Sequence, residues 1–208
     1  MDLVKTQKRL EAGWLFLHPT DTLPGIGCLS QHKESIQKIA SIKKTTDDRQ
    51  GFIALVGSFE QAISEYSKLH EKHLNFLQIF WPGPLTFVHE SNHSGSLALR
   101  FPLIEGDHMK WFRDILSWAP SPLISTSVNE SGSEHATNFK EAKEFVTNHQ
   151  IKNIIVPETP SQIRKNITVS PSTIVKGELD GTLKILRKGN PDFIKKLLAF
   201  DPNIKVPS

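Results

Sequence analysis

His18-Pro-Thr-Asp-Thr-Leu-Pro-Gly-Ile-Gly-Cys28 is the stretch whose reading decides the fold. It follows a short apolar run, Trp14–Leu17, and gathers two prolines, two glycines and two threonines into eleven residues. Proline fixes φ and removes a donor, while glycine lets the backbone turn tightly or come close to a ligand. Thr20, Asp21 and Thr22 set three short oxygen-bearing side chains at the exit of a predicted strand. Open α/β sheets hold their ligands at such strand ends. The same features also describe an ordinary strand-to-loop turn, so the stretch takes its meaning from what surrounds it.

Outward from it, the hydrophobic spacing switches repeatedly between helix and strand. Upstream, Asp2–Ala12 reads as a short helix closed by Gly13, and Trp14–His18 as a buried strand. Downstream, Gly27–Ser30 is a second strand, and Lys33–Lys44 carries Ile36, Ile39, Ala40 and Ile42 near helical spacing. Thr45–Gly51 is polar and turn-like, and Phe52–Val56 is a strand that stops at Gly57-Ser58, where a helix can be capped. Phe59–Leu69 and Glu71–Phe80 are predicted helices, the second with Leu74, Phe76, Leu77, Ile79 and Phe80 on one wide apolar face. His70 and His73 are read as solvated, and Trp81-Pro-Gly-Pro84 ends the helix.

Leu85–His89, Ser96–Phe101 and Leu123–Ser127 follow as strands, with a Met109–Trp118 helix between the last two. An Asn129–Gly132 turn, a Phe139–Asn148 helix and a short Asn153–Val156 strand come next. Glu158–Val169 reads as a surface excursion, Thr173–Val175 and Leu183–Arg187 as the closing strands, and a last helix follows Asn190. Strands interleaved with helices and hairpin-like pairs make an α/β chain with a mixed sheet.

Composition excludes more than it selects. At 208 residues the chain suits one domain with a single core. Its 25 lysines and arginines against 22 acids leave a net charge of +3, compatible with phosphate or RNA but arguing for neither. The lone cysteine, Cys28, allows no intramolecular disulfide and fits a reducing compartment, and no window has the length of a membrane span. The expectation is a soluble, cytoplasmic protein with no membrane partner.

Familiar catalytic arrangements are missing from the sequence. The nine histidines include no HExxH and no pairing with cysteine, Ser125 and Ser127 lie outside any G-x-S-x-G elbow, and no P-loop or G-x-G-x-x-G occurs. What remains is a set of hydroxyls, one amide and a few cations at strand ends: Thr20, Thr22, Lys43, Arg49, Ser96, Arg100, Ser125, Ser127, Asn129, Ser172 and Arg187. Such a set suits a ligand bearing both carboxylate and phosphate, since arginine forks onto planar anions and hydroxyls fix orientation. Taken singly, each serine or threonine is equally a turn cap.

Four further stretches make the pattern specific. They are Phe80-Trp-Pro-Gly-Pro-Leu-Thr86, Leu97-Ala-Leu-Arg-Phe-Pro102, Pro122-Leu-Ile-Ser-Thr-Ser-Val-Asn-Glu-Ser-Gly132, and Pro171-Ser-Thr-Ile-Val175 with Ile185-Leu-Arg-Lys-Gly189. In this order the chain resembles the YrdC-like family, the threonylcarbamoyl-AMP synthases of tRNA modification. The resemblance covers a core of about 14–189 within a single domain, 1–208, with a C-terminal helix and tail at 190–208. It is to the short form without an extra C-terminal domain.

That resemblance implies a twisted, mixed and mostly antiparallel sheet with flanking helices around a concave groove. It implies synthesis of threonylcarbamoyl-AMP from L-threonine, bicarbonate and ATP for the t6A37 modification of tRNA. ATP and Mg²⁺ enter as a substrate complex, with no tightly bound cofactor and no protein metal site. The implied threonine residues are Thr22, Arg100, Ser125 and Ser172; the ATP residues are Arg49, Ser96, Ser127, Asn129 and Arg187; the catalytic cations are Lys43 and Arg49. Implied partners are threonylcarbamoyl-transferase proteins downstream and RNA, tRNA or double-stranded, held weakly by charge.

Three positions depart from the family pattern. Lys43-Lys44-Thr45 lacks the arginine that usually follows the lysine by two, Pro24 replaces an aromatic residue, and His135 stands where serine is common. Lys44 and Arg49 are the two candidates for the missing cation, and Arg49 is the one expected to supply it. Two other readings compete with the synthase. One is a YrdC-like paralogue without synthase activity that binds RNA or nucleotide. The other, a carbamoyl-handling part of a larger maturation enzyme, is disfavoured because no acylphosphatase-like or zinc-finger region accompanies the domain.

Overall fold

The structure, a computed structural model, describes residues 1–44, 52–92, 95–158 and 170–207. Its elements in chain order are α1 (Leu3–Glu11), β1 (Leu15–His18), β2 (Gly25–Leu29), α2 (Lys33–Ile42), β3 (Ile53–Leu55), α3 (Phe59–Glu65) and α4 (Glu71–Phe80). There follow β4 (Leu85–Glu90), β5 (Ser96–Arg100), α5 (Lys110–Trp118), β6 (Leu123–Ser127), α6 (Phe139–Asn148), β7 (Ile154–Ile155), β8 (Thr173–Gly177), β9 (Leu183–Arg187) and α7 (Pro191–Phe200). Side chains cap several helix starts. Asp2 accepts from Lys5 N at 3.0 Å, Ser58 from Gln61 N at 3.1 Å and Asn138 from Glu141 N at 3.0 Å. Asn190 caps α7 ahead of a first-turn proline. Each such cap is worth about 1 kcal/mol.

Among the described residues the strands form one sheet in the order β7-β1-β2-β6-β3-β5-β4-β8-β9. The pairs β1–β7, β3–β5 and β4–β8 run parallel, and the rest antiparallel. This is the mixed, mostly antiparallel α/β sheet expected from the sequence.

The sheet divides into halves that are covered differently, and that difference makes the site. Around β1 and β2 both faces are buried. Phe16 and Leu29 pack with Phe112, Ile115 and Leu116 of α5, while Leu15, Leu17, Ile26 and Cys28 pack with Ile39 of α2 and with Phe139, Ala142 and Val146 of α6. The alternation along β1 is that of a strand with helices on both sides. Around β4, β5, β8 and β9 one face packs on α3, α4 and α7 through Phe87, Leu99, Val175, Leu183 and Ile185. The opposite-facing Val88, Ala98, Ile174 and Leu186 line an open groove instead.

Several expectations are corrected. β2 begins at Gly25 rather than Gly27. α3 stops at Glu65, because Tyr66 bridges to Ser91 and buries its hydroxyl between Phe87 O (2.5 Å, donating) and Leu99 N (3.2 Å, accepting). Burial pushes that phenol's pKa well above its ordinary value. His73 is not solvated but fully buried, 5.4 Å from Phe87 and 5.2 Å from His89 ring to ring. It shares its helix face with Phe76 and Leu77, three and four residues on, and so turns inward with them. Ile79, counted with that face in the sequence, is 60 % exposed because the helical period carries it around to solvent. His70 lies at the surface and caps α4 by accepting from Lys72 N at 3.1 Å.

Candidate active site

The Pro/Gly turn that follows β1 folds over a point where several strands end together. β1 ends at His18, β5 at Arg100, β6 at Ser127 and β9 at Arg187, while β2 begins at Gly25 and β8 at Thr173. A pocket of about 60 Å³ opens there, its polar wall made by Thr20, Thr22, Arg100, Ser125, Ser127, Ser172 and Arg187. On β5, Leu97 and Leu99 pack toward the core, and the strand's two-residue period sends Arg100 to the pocket side.

Arg100 is 2 % exposed and held on three sides. Its Nε donates to Gly83 O at 3.4 Å, one terminal nitrogen donates to Thr22 Oγ1 at 2.6 Å, and the other pairs with the Asp21 carboxylate. A guanidinium has five N–H donors, so donors remain for a ligand carboxylate. Arg187 is anchored through Ser172, donating to its carbonyl oxygen at 3.0 and 3.2 Å and to its hydroxyl at 3.0 Å. Burial, and then the nearby Arg100 cation, lower the Arg187 pKa. Two cations facing one space favour an anion between them.

The hydroxyl protons can be traced. Thr20 donates to Leu23 O at 2.8 Å, so across the 3.0 Å Thr20–Thr22 contact it is Thr22 that donates. Ser127 donates to Asn129 Oδ1 at 2.9 Å. Thr22 and Ser127 thus spend their protons within the protein and offer lone pairs to the pocket. Guanidinium donors together with hydroxyl acceptors match a zwitterion, whose carboxylate takes the first and whose ammonium takes the second.

Beside this pocket runs a groove of about 600 Å³, the size of a nucleotide site. It shares Ile53 and Arg187 with the pocket and is lined by Ile36, Phe52, Ala98, Ile124 and Ile174, with Lys33 and Ser96 on its walls. Lys43, at the end of α2, is 8 % exposed and reaches β6, donating to Asn129 Oδ1 and to Ser127 O at 3.2 Å. Burial pushes its pKa down to about 8, which leaves it a cation at neutral pH. His135 has its pKa lowered by burial and then by the Lys43 and Arg187 cations.

The structure therefore gathers Thr22, Arg100, Ser125, Ser127, Ser172 and Arg187 into one pocket wall, with Lys43 and Asn129 adjoining through Ser127. Ser96 lies apart from them, exposed at the start of β5 on the groove. Asn129 uses its whole amide within the protein. Oδ1 accepts from Lys43 and Ser127, and Nδ2 donates to Glu130 O at 2.8 Å and Ser133 O at 2.9 Å. Arg49 and Thr45 lie outside the described residues. Two participants were not singled out for these roles in the sequence: Asp21, the partner of Arg100, and His18, whose Nε2 lies 3.1 Å from Ser125 Oγ. A histidine directly before the Pro-Thr-Asp-Thr run was the available signal. Among the described residues, no group of three or more His, Cys, Asp or Glu side chains could hold a metal ion, and no helix is long and apolar enough to cross a membrane.

Known proteins resemble this chain in sequence and in fold. A threonylcarbamoyl-AMP synthase of Vibrio campbellii is 27 % identical over 176 residues, covering 76 % of this chain and 90 % of that protein. One of Blochmanniella pennsylvanica is 26 % identical over 170 residues, covering 77 % and 87 %. Among solved structures, P. abyssi Sua5 complexed with L-threonine superposes with a TM-score of 0.77 at 22 % identity, over 99 % of this chain and 58 % of that one. E. coli YciO superposes with a TM-score of 0.68 at 20 % identity, over 90 % and 88 %. At those identities the structures speak for the fold alone. The Sua5/YciO/YrdC family model, described as telomere recombination, matches residues 8–189, and the chain belongs to that family.

Proposed function

We propose that the chain is an L-threonylcarbamoyladenylate synthase, joining L-threonine, bicarbonate and ATP with release of pyrophosphate. The observation that carries this reading is the pairing of a zwitterion-shaped pocket with a nucleotide-sized groove through the shared Arg187. Relatives named threonylcarbamoyl-AMP synthase support it. In this reading Arg100 holds the threonine carboxylate, and Thr22, Ser125 and Ser172 orient the rest of the amino acid. The apolar groove takes the base, and Arg187 and Lys43 face the phosphates. Ser127 lines their approach, Asn129 fixes Lys43 and Ser96 sits at the far rim. Mg²⁺ arrives on ATP.

The chemistry needs no protein nucleophile. The threonine amine takes up the bicarbonate carbon with loss of water, a carbamate oxygen attacks the α-phosphorus, and pyrophosphate leaves. Positioning and neutralisation of developing charge supply the catalysis. The product passes to a threonylcarbamoyl-transferase acting on tRNA, and the net charge of +3 fits only weak, salt-sensitive contact with RNA.

Pyrophosphate release from ATP tests the reading. It should require both L-threonine and bicarbonate; release with neither, or none under any condition, overturns it and favours a nucleotide- or RNA-binding paralogue. In the same assay Arg49→Ala should abolish release and Thr45→Arg add little, since Arg49 supplies the cation that Thr45 does not.

A further inference from the structure

His18 has no part in the chemistry above, yet its surroundings are arranged for one contact. It is fully buried at the end of β1, with its ring stacked on Phe112 at 5.0 Å and 15°. Ser125, on β6, is two strands away, and β2 lies between them. The ring crosses β2 where that strand has no side chains, at Gly25 and Gly27. A Cβ on Gly25 would stand 2.4 Å from His18 Cε1 and 2.8 Å from Ser125 Oγ, so glycine there is a condition of the pair.

The ring's tautomer follows from its neighbours. Nδ1 faces the Pro19 carbonyl oxygen at 3.4 Å, which can only accept, so the proton of the neutral ring belongs on Nδ1. Nε2 is then an acceptor, and across 3.1 Å the Ser125 hydroxyl must donate to it. The lone pairs of Ser125 are left for the pocket that this residue lines. Burial, with the Arg100 cation adding to it and the Pro19 carbonyl opposing, pushes the ring pKa down to about 3. A base that weak holds a proton at pH 7 in roughly one molecule in ten thousand. The pair fixes a direction; it does not shuttle protons.

We propose that His18 is a positioning residue that holds the Ser125 hydroxyl as a hydrogen-bond acceptor for the substrate amine, so that the pocket selects α-amino acids over their desamino analogues. This rests on the synthase reading and deepens it. Without the histidine, Ser125 could turn its proton outward, toward the carboxylate side, and the selection for an amine would fade.

The test compares L-threonine with 3-hydroxybutyrate, which keeps the carboxylate and the hydroxyl but lacks the amine. Binding is measured by calorimetry on the full chain. The parent should prefer L-threonine by at least about tenfold, the scale of one charge-assisted hydrogen bond. His18→Phe keeps a ring on Phe112 and removes the acceptor; it should shrink that preference about tenfold and leave 3-hydroxybutyrate affinity within about twofold. His18→Gln, which can still accept from Ser125, should restore most of the preference. In steady state His18→Phe should raise the threonine KM more than it lowers kcat. Equal loss of both ligands, or unchanged preference, overturns the proposal while leaving the synthase reading intact. A parent that binds no L-threonine overturns both. Should His18→Phe fail to fold, Ser125→Ala makes the same comparison: a lost preference supports the proposal, and an unchanged one overturns it.

Discussion

Arg100 is buried against Asp21 and Thr22, and that decides how it should be probed. Removing one partner of a buried ion pair leaves the other charge uncompensated, at a cost of about 3–5 kcal/mol. Arg100→Ala should therefore lower stability as well as threonine binding. Arg100→Lys is the informative change. It keeps the charge near Asp21 but lacks the planar fork that engages a carboxylate while still holding Thr22. We expect the threonine KM to rise roughly tenfold to a hundredfold, a loss of about 1.5–3 kcal/mol, with the ATP KM within a few-fold of the parent. Equal rises for both substrates would show that Arg100 serves the whole site rather than the amino acid. The arginine itself was legible in Leu97-Ala-Leu-Arg-Phe-Pro102. Its carboxylate partner was not, because Asp21 sits in a turn where acids are ordinary and nothing local says which cation it meets.

At the scale of elements, the end of α2 is tied to the turn after β6. Lys43 O accepts from Ser131 N at 3.0 Å while its ammonium reaches Asn129 and the Ser127 carbonyl, and Lys44 pairs with Glu130 at 2.6 Å. Ser127 and Asn129 were marked in the sequence by the resemblance, as residues that belong with ATP. A motif cannot show that the Asn129 amide is already saturated, by Lys43 and Ser127 on one side and by its own turn on the other. Its influence on nucleotide then runs through Lys43, which it holds in place. Asn129→Ala should accordingly cost about 1–3 kcal/mol of stability, the penalty for leaving buried partners unpaired. It should also weaken ATP binding measured by calorimetry, and Lys43→Ala combined with it should add less than the two separate losses. Full additivity would mean that the two residues meet the nucleotide independently.

Across the whole molecule, element type was readable wherever the apolar period was long, as in α2, α6 and the β4–β5 pair. Burial was misread at His73, where a polar residue sits on the inward face of a correctly read helix. That misreading has a measurable consequence. Burial, joined by the charges of His89, His70 and Lys72 against the opposing Thr182 backbone, pushes the His73 pKa down to about 4, and burial pushes His18 to about 3. An unfolded histidine titrates near 6.5. Between pH 6.5 and about 4 the unfolded chain therefore binds protons that the folded chain refuses, and stability falls as pH falls through that window. Each buried histidine contributes up to about 1.4 kcal/mol per pH unit. From pH 6 to pH 5 the two together should remove about 2–3 kcal/mol. The paired carboxylate of Asp201 behaves in the same sense but lower, below its ordinary value near 4, because its folded pKa is depressed first of all by Lys72. Urea unfolding at pH 7, 6 and 5 samples the histidine window alone. His73→Gln, which has no proton to gain, should cut the loss between pH 6 and pH 5 by about half. The same loss in parent and variant would mean that His73 takes up its proton without unfolding, and that the packing of α4 on Phe87 opens in mild acid.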